Sequence, residues 1–329
     1  DEMRVTWDGY QPGKIQDYSL RANYGFADKY LIQADLSYSG SMRMPDGERF
    51  SLYPTASAAW IISNESFLSE SSFVDYLKLH SSYGIMGIGN YSISGYNPYY
   101  LYETLWGYSG SWTSGVPGNY GSAANIYEML QNGSDDFKLP KKSYLNIGLQ
   151  GQLMNKALSF EFNYFNERNY DKISARVYST PSLIGTDFLQ ATNYGEDTRW
   201  GVDGMVQYSG QSGDFNYSVS VNAMYLRGKH VVVDELDYPE EYRTRTGKDI
   251  DLFWIYNAEG LYQDSDEITD RDVSQAWGNV VPGDIRYEDK NNDGLVDERD
   301  VYAPGARSPR LFYGANLSLG YKNLKLFIA

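Results

Sequence analysis

Cysteine is absent from all 329 residues. That excludes disulfides, thiolate metal sites and cysteine nucleophiles, and it leaves the compartment open. Histidine occurs only at His80 and His230, neither set among serine and carboxylate residues in a way that suggests a triad. Cations are scarce: 28 Lys and Arg stand against 43 Asp and Glu, a formal net charge of −15. Nucleic acid is therefore excluded as a partner, because its binders cluster Lys and Arg. No apolar run approaches the roughly 18 residues that a spanning helix needs, and the mean hydropathy is −0.53. Together these exclude a helical membrane protein. They do not exclude a barrel, in which half the strand residues and all the loops face water. No phosphate-binding glycine loop is present. The acidic pairs Glu240–Glu241 and Asp264–Asp266 read as solvated loop charge, so the sequence is not read as an enzyme.

Aromatic residues are abundant: 32 Tyr, 13 Phe and 7 Trp, or 16% of the chain. Tyr and Trp join an apolar body to a polar tip and so suit a membrane–water boundary. Alternation is equally pronounced. In 30–38, Tyr30, Ile32, Ala34, Leu36 and Tyr38 interleave with Leu31, Gln33, Asp35 and Ser37. Leu158, Phe160, Phe162 and Tyr164 interleave with Ser159, Glu161 and Asn163. The same holds for Phe215 to Tyr225 and for Leu311 to Tyr321. Side chains of a strand point to opposite faces in turn, so each segment has one apolar and one polar face. Segments of about ten such residues edged by aromatics predict a transmembrane antiparallel β-barrel. His80, between Lys78 and Ser82, falls in the polar phase and is expected to face the lumen.

Connections are expected to alternate in length. Tight ones lie at 27–29, 154–156, 210–214 and 322–323, with Gly, Asn or Asp available for short hairpins. Long ones lie at 39–50, 84–142, 227–252 and 263–310, and 64–73 reads as a longer turn on the short side. Short periplasmic turns and long extracellular loops have this asymmetry. The first residues carry no export signal, and the last ones, Leu324, Leu326 and Ile328, still alternate. Residues 1–329 are therefore read as one partial barrel domain, internal to a longer protein.

Several short stretches, in order along the chain, carry a family resemblance. They are Lys29-Tyr30-Leu31; Tyr53-Pro54-Thr55-Ala56-Ser57-Ala58-Ala59-Trp60 with Ser63-Asn64-Glu65; and Leu77-Lys78-Leu79 with Ser82-Tyr83-Gly84, Gly87, Gly89 and Asn90. They continue with Asn146-Ile147-Gly148-Leu149, Tyr164-Phe165-Asn166, Asn193-Tyr194-Gly195, and Pro282-Gly283-Asp284-Ile285-Arg286-Tyr287 followed by 289–300. In this the chain resembles the C-terminal half of the barrel of SusC/RagA-type TonB-dependent outer-membrane transporters of Bacteroidetes. Arg199-Trp200-Gly201-Val202-Asp203 and Lys142 depart from the family pattern. The resemblance implies a fragment of a barrel of about 22 strands whose lumen is filled by a plug. It also implies import of oligosaccharides or peptides, a SusD-like surface lipoprotein as cap, and energy from the TonB complex. Plug, TonB box and signal peptide are not in this sequence.

Two local features invite a functional reading. Residues 289–300 follow D-x-N-x-D-G-x-x-D-x-x-D. A calcium loop places oxygen ligands at positions 1, 3, 5, 7, 9 and 12 around a Gly at 6. Asp289, Asn291, Asp293, the Leu295 carbonyl, Asp297 and Asp300 fit those positions around Gly294, with Asp in place of the usual last Glu. The other reading is an acidic turn held by Asx hydrogen bonds without metal. The second feature is an aromatic-rich loop containing Tyr91, Tyr96, Tyr99, Tyr100, Tyr102, Trp106, Tyr108, Trp112 and Tyr120. It either packs on itself or against the lipoprotein, or it contacts substrate at the lumen mouth. Energy-coupled import is the function expected. A non-transporting structural or adhesive outer-membrane barrel is the alternative, and a secreted carbohydrate-binding β protein is a more distant one.

Overall fold

The computed structural model describes residues 13–89, 101–116, 119–135, 137–181, 183, 185 and 188–329. In chain order the strands begin with β1 (Ile15–Phe26), β2 (Tyr30–Ser41), β3 (Phe50–Ile61), β4 (Val74–Gly87), β5 (Leu105–Val116) and β6 (Asn119–Gln131). They continue with β7 (Lys141–Leu153), β8 (Leu158–Ser174), β9 (Thr192–Ser212) and β10 (Phe215–Val232). Next come β11 (Ala258–Leu261), the short helix α1 (Ser265–Asp270), β12 (Ser274–Gln275), β13 (Ile285–Tyr287) and β14 (Leu295–Val296). β15 (Leu311–Tyr321) and β16 (Leu324–Ile328) complete the set. A single ten-stranded sheet runs in the order β1-β2-β3-β4-β7-β8-β9-β10-β15-β16, and every neighbouring pair is antiparallel.

Register keeps the two faces separate across the whole sheet. Leu20 faces Leu36, which faces Pro54; Val219 faces both Tyr208 and Leu317. This apolar face is bare: Leu20, Ile32, Phe162 and Val221 are 68%, 55%, 49% and 52% exposed. The polar face carries Gln33, Asp35, Asn163, Asp203 and Ser220 on the half-buried side. A one-residue slip anywhere would exchange the two sets, so the alternation itself pins the register. Aromatic residues close the apolar face at both margins. Phe26, Tyr30 and Trp60 stack in a row at one end, and Tyr38 stacks on Phe50 at the other, centroids 5.0 Å apart. Tyr30 and Tyr38, Tyr208 and Trp200, and Tyr217 and Tyr225 are each eight positions apart. That is about 27 Å along a strand, close to the apolar band of an outer-membrane barrel.

Turns at one end are tight and use left-handed backbone, which matches the twist of the flanking strands. Ala27 and Asp28 (φ 55° and 53°), Met154 to Lys156, Gly213 and Lys322 supply it. Residues 62–73 form the longer turn on this side, opened by a single 3-10 turn at Ile62–Asn64. Long connections all leave the opposite end. The expected alternation of short and long holds, with three corrections. The stretches 227–252 and 263–310 belong to one connection, 233–310, because β10 pairs directly with β15. A further long connection, 175–191, joins β8 to β9. Within the aromatic-rich stretch, β5 and β6 are no irregular loop but pair as a hairpin outside the large sheet.

Buried apolar side chains are few and lie at the long-connection end. Met44, Leu101, Phe137 and Ala191 are at most 1% exposed and pack with Tyr102, Leu139 and Ile173. This cluster gathers the β2–β3, β4–β7 and β8–β9 connections beneath the β5–β6 hairpin. A sheet whose concave side is polar cannot form its core there, so packing moves to the loops.

Candidate functional site

At the base of the β5–β6 hairpin, polar side chains fasten the backbone. Gln131 donates to the Glu103 carbonyl (3.1 Å), Asn132 to the Phe188 carbonyl (2.9 Å) and Gln190 to the Gly133 carbonyl (2.6 Å). Tyr102 belongs to this stem, packed against the buried cluster with its hydroxyl 3.4 Å from the Met42 carbonyl. Beyond the stem, Trp106, Tyr108 and Trp112 are 54%, 60% and 62% exposed. Tyr108 meets Tyr127 edge-on at 6.1 Å. A bulge between Tyr108 and Gly110 turns Trp112 to the opposite face, where it lies across from Ala124. The predicted aromatics are thus divided between a packed stem and two open faces. Tyr91, Tyr96, Tyr99 and Tyr100 lie outside the described residues, and so does the side chain of Tyr120.

The loop 289–300 folds as a chain of Asx turns. Asp289 accepts the Asp293 and Gly294 N–H (3.2 and 2.8 Å), and Asp293 accepts the Leu295 N–H (3.0 Å). The Asn291 amide spans to Asp293 at 2.9 Å. Asp300, 1% exposed, accepts the Lys290, Asn291 and Asp297 N–H. Gly294 takes the left-handed conformation (φ +88°) that the sharp turn requires. Arg299 lies against Asp293 (2.7 Å) and Asp297 (2.9 Å), and its guanidinium holds the Asp297 carboxyl below its usual range. The predicted ligands do converge in one loop. Their oxygens are directed at backbone N–H groups and Arg299, and among the described residues no group of three or more His, Asp or Glu is arranged to hold a metal ion.

The concave wall confirms the polar phase. His80 lies there, beside Gly148 and Asn163, and its Nδ1 is buried without a hydrogen-bond partner. Asn163 donates to Asp203 (3.0 Å) and Glu161 (3.2 Å). Higher on the wall, Asp197 (5% exposed) takes His230 at 2.7 Å and Lys172 at 2.5 Å. His230 lies within β10, not in the expected connection 227–252. Asp249 (7% exposed) receives both Arg227 (2.8 Å) and Arg310.

Two side-chain groupings have no counterpart in the sequence reading. Glu65 collects Tyr30 (2.7 Å), Lys29 (2.9 Å) and Trp60 (3.1 Å). Those hydrogen bonds, the Tyr30 hydroxyl first, hold its carboxyl down to about 2. In the 233–310 connection, Trp277 meets Tyr256 at 4.9 Å and Tyr287 at 5.7 Å, and Trp277 is 54% exposed. Only long-range pairing brings these three rings together, so spacing gives no sign of them. The resemblance to Ser-Asn-Glu pointed at Glu65 without saying what it holds.

A two-faced antiparallel meander, bounded by aromatics, with tight turns at one end and long connections at the other, is a wall segment of an outer-membrane-type β-barrel. No family model matches the sequence. Among curated proteins, the chain is 26% identical over 332 residues to TonB-dependent receptor P26 of Formosa agariphila, which covers 97% of this chain and 32% of that protein. It is 21% identical over 316 residues to TonB-dependent receptor SusC of Bacteroides thetaiotaomicron, covering 94% and 30%. Among solved structures, the RagAB peptide importer in its closed-closed state superposes with a TM-score of 0.69 at 20% identity, covering 95% of this chain and 32% of that one. Its open-open state gives the same TM-score at 21% identity. The chain spans about a third of the length of the curated relatives it matches. Over this stretch the chain is similar to SusC-like TonB-dependent receptors, and its fold is that of part of a RagA-type barrel.

Proposed function

We propose that residues 1–329 form part of the barrel of an outer-membrane importer that moves oligosaccharides or peptides inward. In this reading a SusD-like surface lipoprotein caps the long-connection end. The TonB complex acts through plug and N-terminal parts that lie outside this sequence. The observation that carries the reading is the polar, hydrogen-bonding concave wall backed by an apolar face of bilayer height. Lipid meets the apolar face, and cargo or plug meets the polar one. Trp106, Tyr108 and Trp112 are the aromatics we assign to substrate or lipoprotein contact, since they project beyond the stem and nothing among the described residues covers them. Ca2+ in the loop 289–300 is also part of the proposal, with a structural role. It would have to displace Arg299 from Asp293 and Asp297.

The test is uptake by cells carrying the full-length receptor. Trp106→Ala with Trp112→Ala should leave its membrane abundance unchanged and weaken uptake or lipoprotein capture, since interface aromatics commonly contribute about 2 kcal/mol or more. Normal uptake and capture would return these rings to a packing role. A receptor whose deletion alters adhesion but no nutrient uptake would favour the non-transporting barrel.

A further inference from the structure

In a chain of net charge −15, one outward-facing patch is cationic. It lies on β7 to β10, directly beyond the aromatic margin at the long-connection end. Trp200 and Tyr225 mark that margin, rings 5.7 Å apart. Arg227 is level with Trp200, while Ser143, Arg168, Thr198 and Lys229 share the next row of the outer face. Lys141, opposite Tyr170, lies one step higher. Successive outward rows are roughly 7 Å apart, so these cations occupy the depth of lipid headgroups just above the acyl chains. Two aromatics accompany them: the Arg168 guanidinium sits 4.9 Å from the Tyr170 ring, and Arg176 sits 4.2 Å from Tyr194.

Acids are present in this patch but recessed. Glu196 holds Arg168 through both oxygens (2.6 and 2.7 Å), yet its side chain is 18% exposed against 51% for Arg168. Asp249 is 8% exposed against 36% for Arg227. Each acid fixes the base of a guanidinium and leaves its outer edge open. Lys141 and Lys229 form no ion pair among the described residues. At the same level on β1 to β4 the outward positions are Gln16, Gly40, Phe50 and Ile85, none ionisable. The charge is therefore local rather than a general feature of the rim.

We propose that Lys141, Arg168, Arg227 and Lys229 form a binding site for the phosphate of an anionic lipid headgroup, seated on the outer wall of β7–β10. The inference rests on the reading that the apolar face meets lipid with the long connections outside the cell. The site is continuous with the apolar band below it, so acyl chains and headgroup are met by one surface. Cations beside a bilayer typically contribute to anionic lipid binding in just this geometry.

Native mass spectrometry of the detergent-purified full-length receptor, titrated with bisphosphorylated lipid A, tests it. Lys141→Gln, Arg168→Gln and Lys229→Gln together should weaken retention by about fivefold for each cation removed. The Lys141→Arg/Lys229→Arg variant should retain the lipid. Dephosphorylated lipid A should bind no better to the parent than to the triple variant, and millimolar inorganic phosphate should not displace the lipid. Equal retention of phosphorylated and dephosphorylated forms, or an unchanged triple variant, would overturn the site; displacement by free phosphate would make it a site for soluble anions. Lys229→Cys in a cysteine-free background separates the two levels of the argument. Labelling by an impermeant maleimide on intact cells together with failed lipid binding removes the headgroup site alone. Labelling only after permeabilisation removes the orientation and the site with it.

Discussion

Glu65 shows how much one side chain can organise. Its carboxylate joins the Lys29 ammonium, the Tyr30 hydroxyl and the Trp60 indole, and so ties the ends of β2 and β3 to the turn that follows. Its folded-state pKa is depressed from the ordinary glutamate range to about 2. The stabilisation is therefore fully present above about pH 4.5 and is lost as the pH falls through about 2. Glu65→Gln should lower the melting temperature of the full-length protein at pH 7, and the difference from the unmodified protein should shrink as the pH falls towards 2. Glu70→Gln, in the same turn, should do neither. At the apolar face the sign of a substitution is set by its phase. Arginine at Ile32, Phe160 or Val219 should destabilise the barrel by about 2–4 kcal/mol near the bilayer midplane, whereas Gln33→Arg and Ser220→Arg should be tolerated. Equal losses from both sets in denaturant titrations would contradict the assignment of faces.

Among the elements, the 233–310 connection is held by carboxylates that accept backbone N–H groups. Asp234 takes Tyr178 and Ser179 (2.8 and 3.0 Å), Glu235 takes Arg245 and Thr246 (2.6 and 3.0 Å), and Asp251 takes Ser308 (3.0 Å). The excess of acid in the composition thus has a structural use. Burial works against the Glu235 charge, but hydrogen bonds from Thr246 and the Arg245 N–H still hold its carboxyl below the usual value. Ser308 does the same for Asp251, and Arg299 for Asp297. With all three depressed, this stabilisation exists at neutral pH and fades as acid reaches the folded-state values. Limited proteolysis should cut 233–310 faster below about pH 4 while the strands remain protected. The metal question belongs to the same element. Asp293→Ala should expose the loop to protease at neutral pH. If Ca2+ binds, EGTA should reproduce that exposure and Arg299→Gln should strengthen binding; protease patterns indifferent to EGTA would leave the Asx turns and Arg299 as the whole of the loop's support.

Legibility followed the range of the interactions. β2, β8, β10 and β15 could be read from the sequence because a two-faced strand repeats every second residue, and turn residues mark their ends. The β5–β6 hairpin was read as a loop because its three bulges break the alternation. The run Leu252-Phe253-Trp254-Ile255-Tyr256, which stands between the expected connections 227–252 and 263–310, adds no strand to the large sheet. It makes only isolated bridges, at Leu252–Ala306 and Ile255–Tyr302. Spacing singles out the residues of the loop 289–300, but it carries no information about Arg299 turning back on them.

At the scale of the whole molecule, the orientation proposed above puts the two ends of the sheet on opposite sides of the membrane. A cysteine placed at Ser109, on the β5–β6 hairpin, should react with an impermeant maleimide on intact cells. One at Ser212, beside the β9–β10 turn, should react only after permeabilisation, and the reverse pattern would refute the orientation. Strand lengths add to this picture. β9 has 21 residues and β10 has 18, well beyond the roughly 9–11 needed to cross. In the proposed orientation the wall would continue outward past the bilayer, where the Asp197 and Asp249 clusters would lie.

The eight-position interval between aromatic margins recurs on β2, β9 and β10, and it amounts to a molecular gauge of membrane thickness. Rings anchored at both interfaces resist being drawn into hydrocarbon or lifted into water. A bilayer thicker or thinner than the interval must deform around the wall, at a cost of a fraction of a kcal/mol per ångström of mismatch. Lipid around the barrel would then be pulled towards one preferred thickness, and neighbouring barrels with the same interval would share that deformed annulus. Such sharing is an attraction between proteins that touch only through lipid.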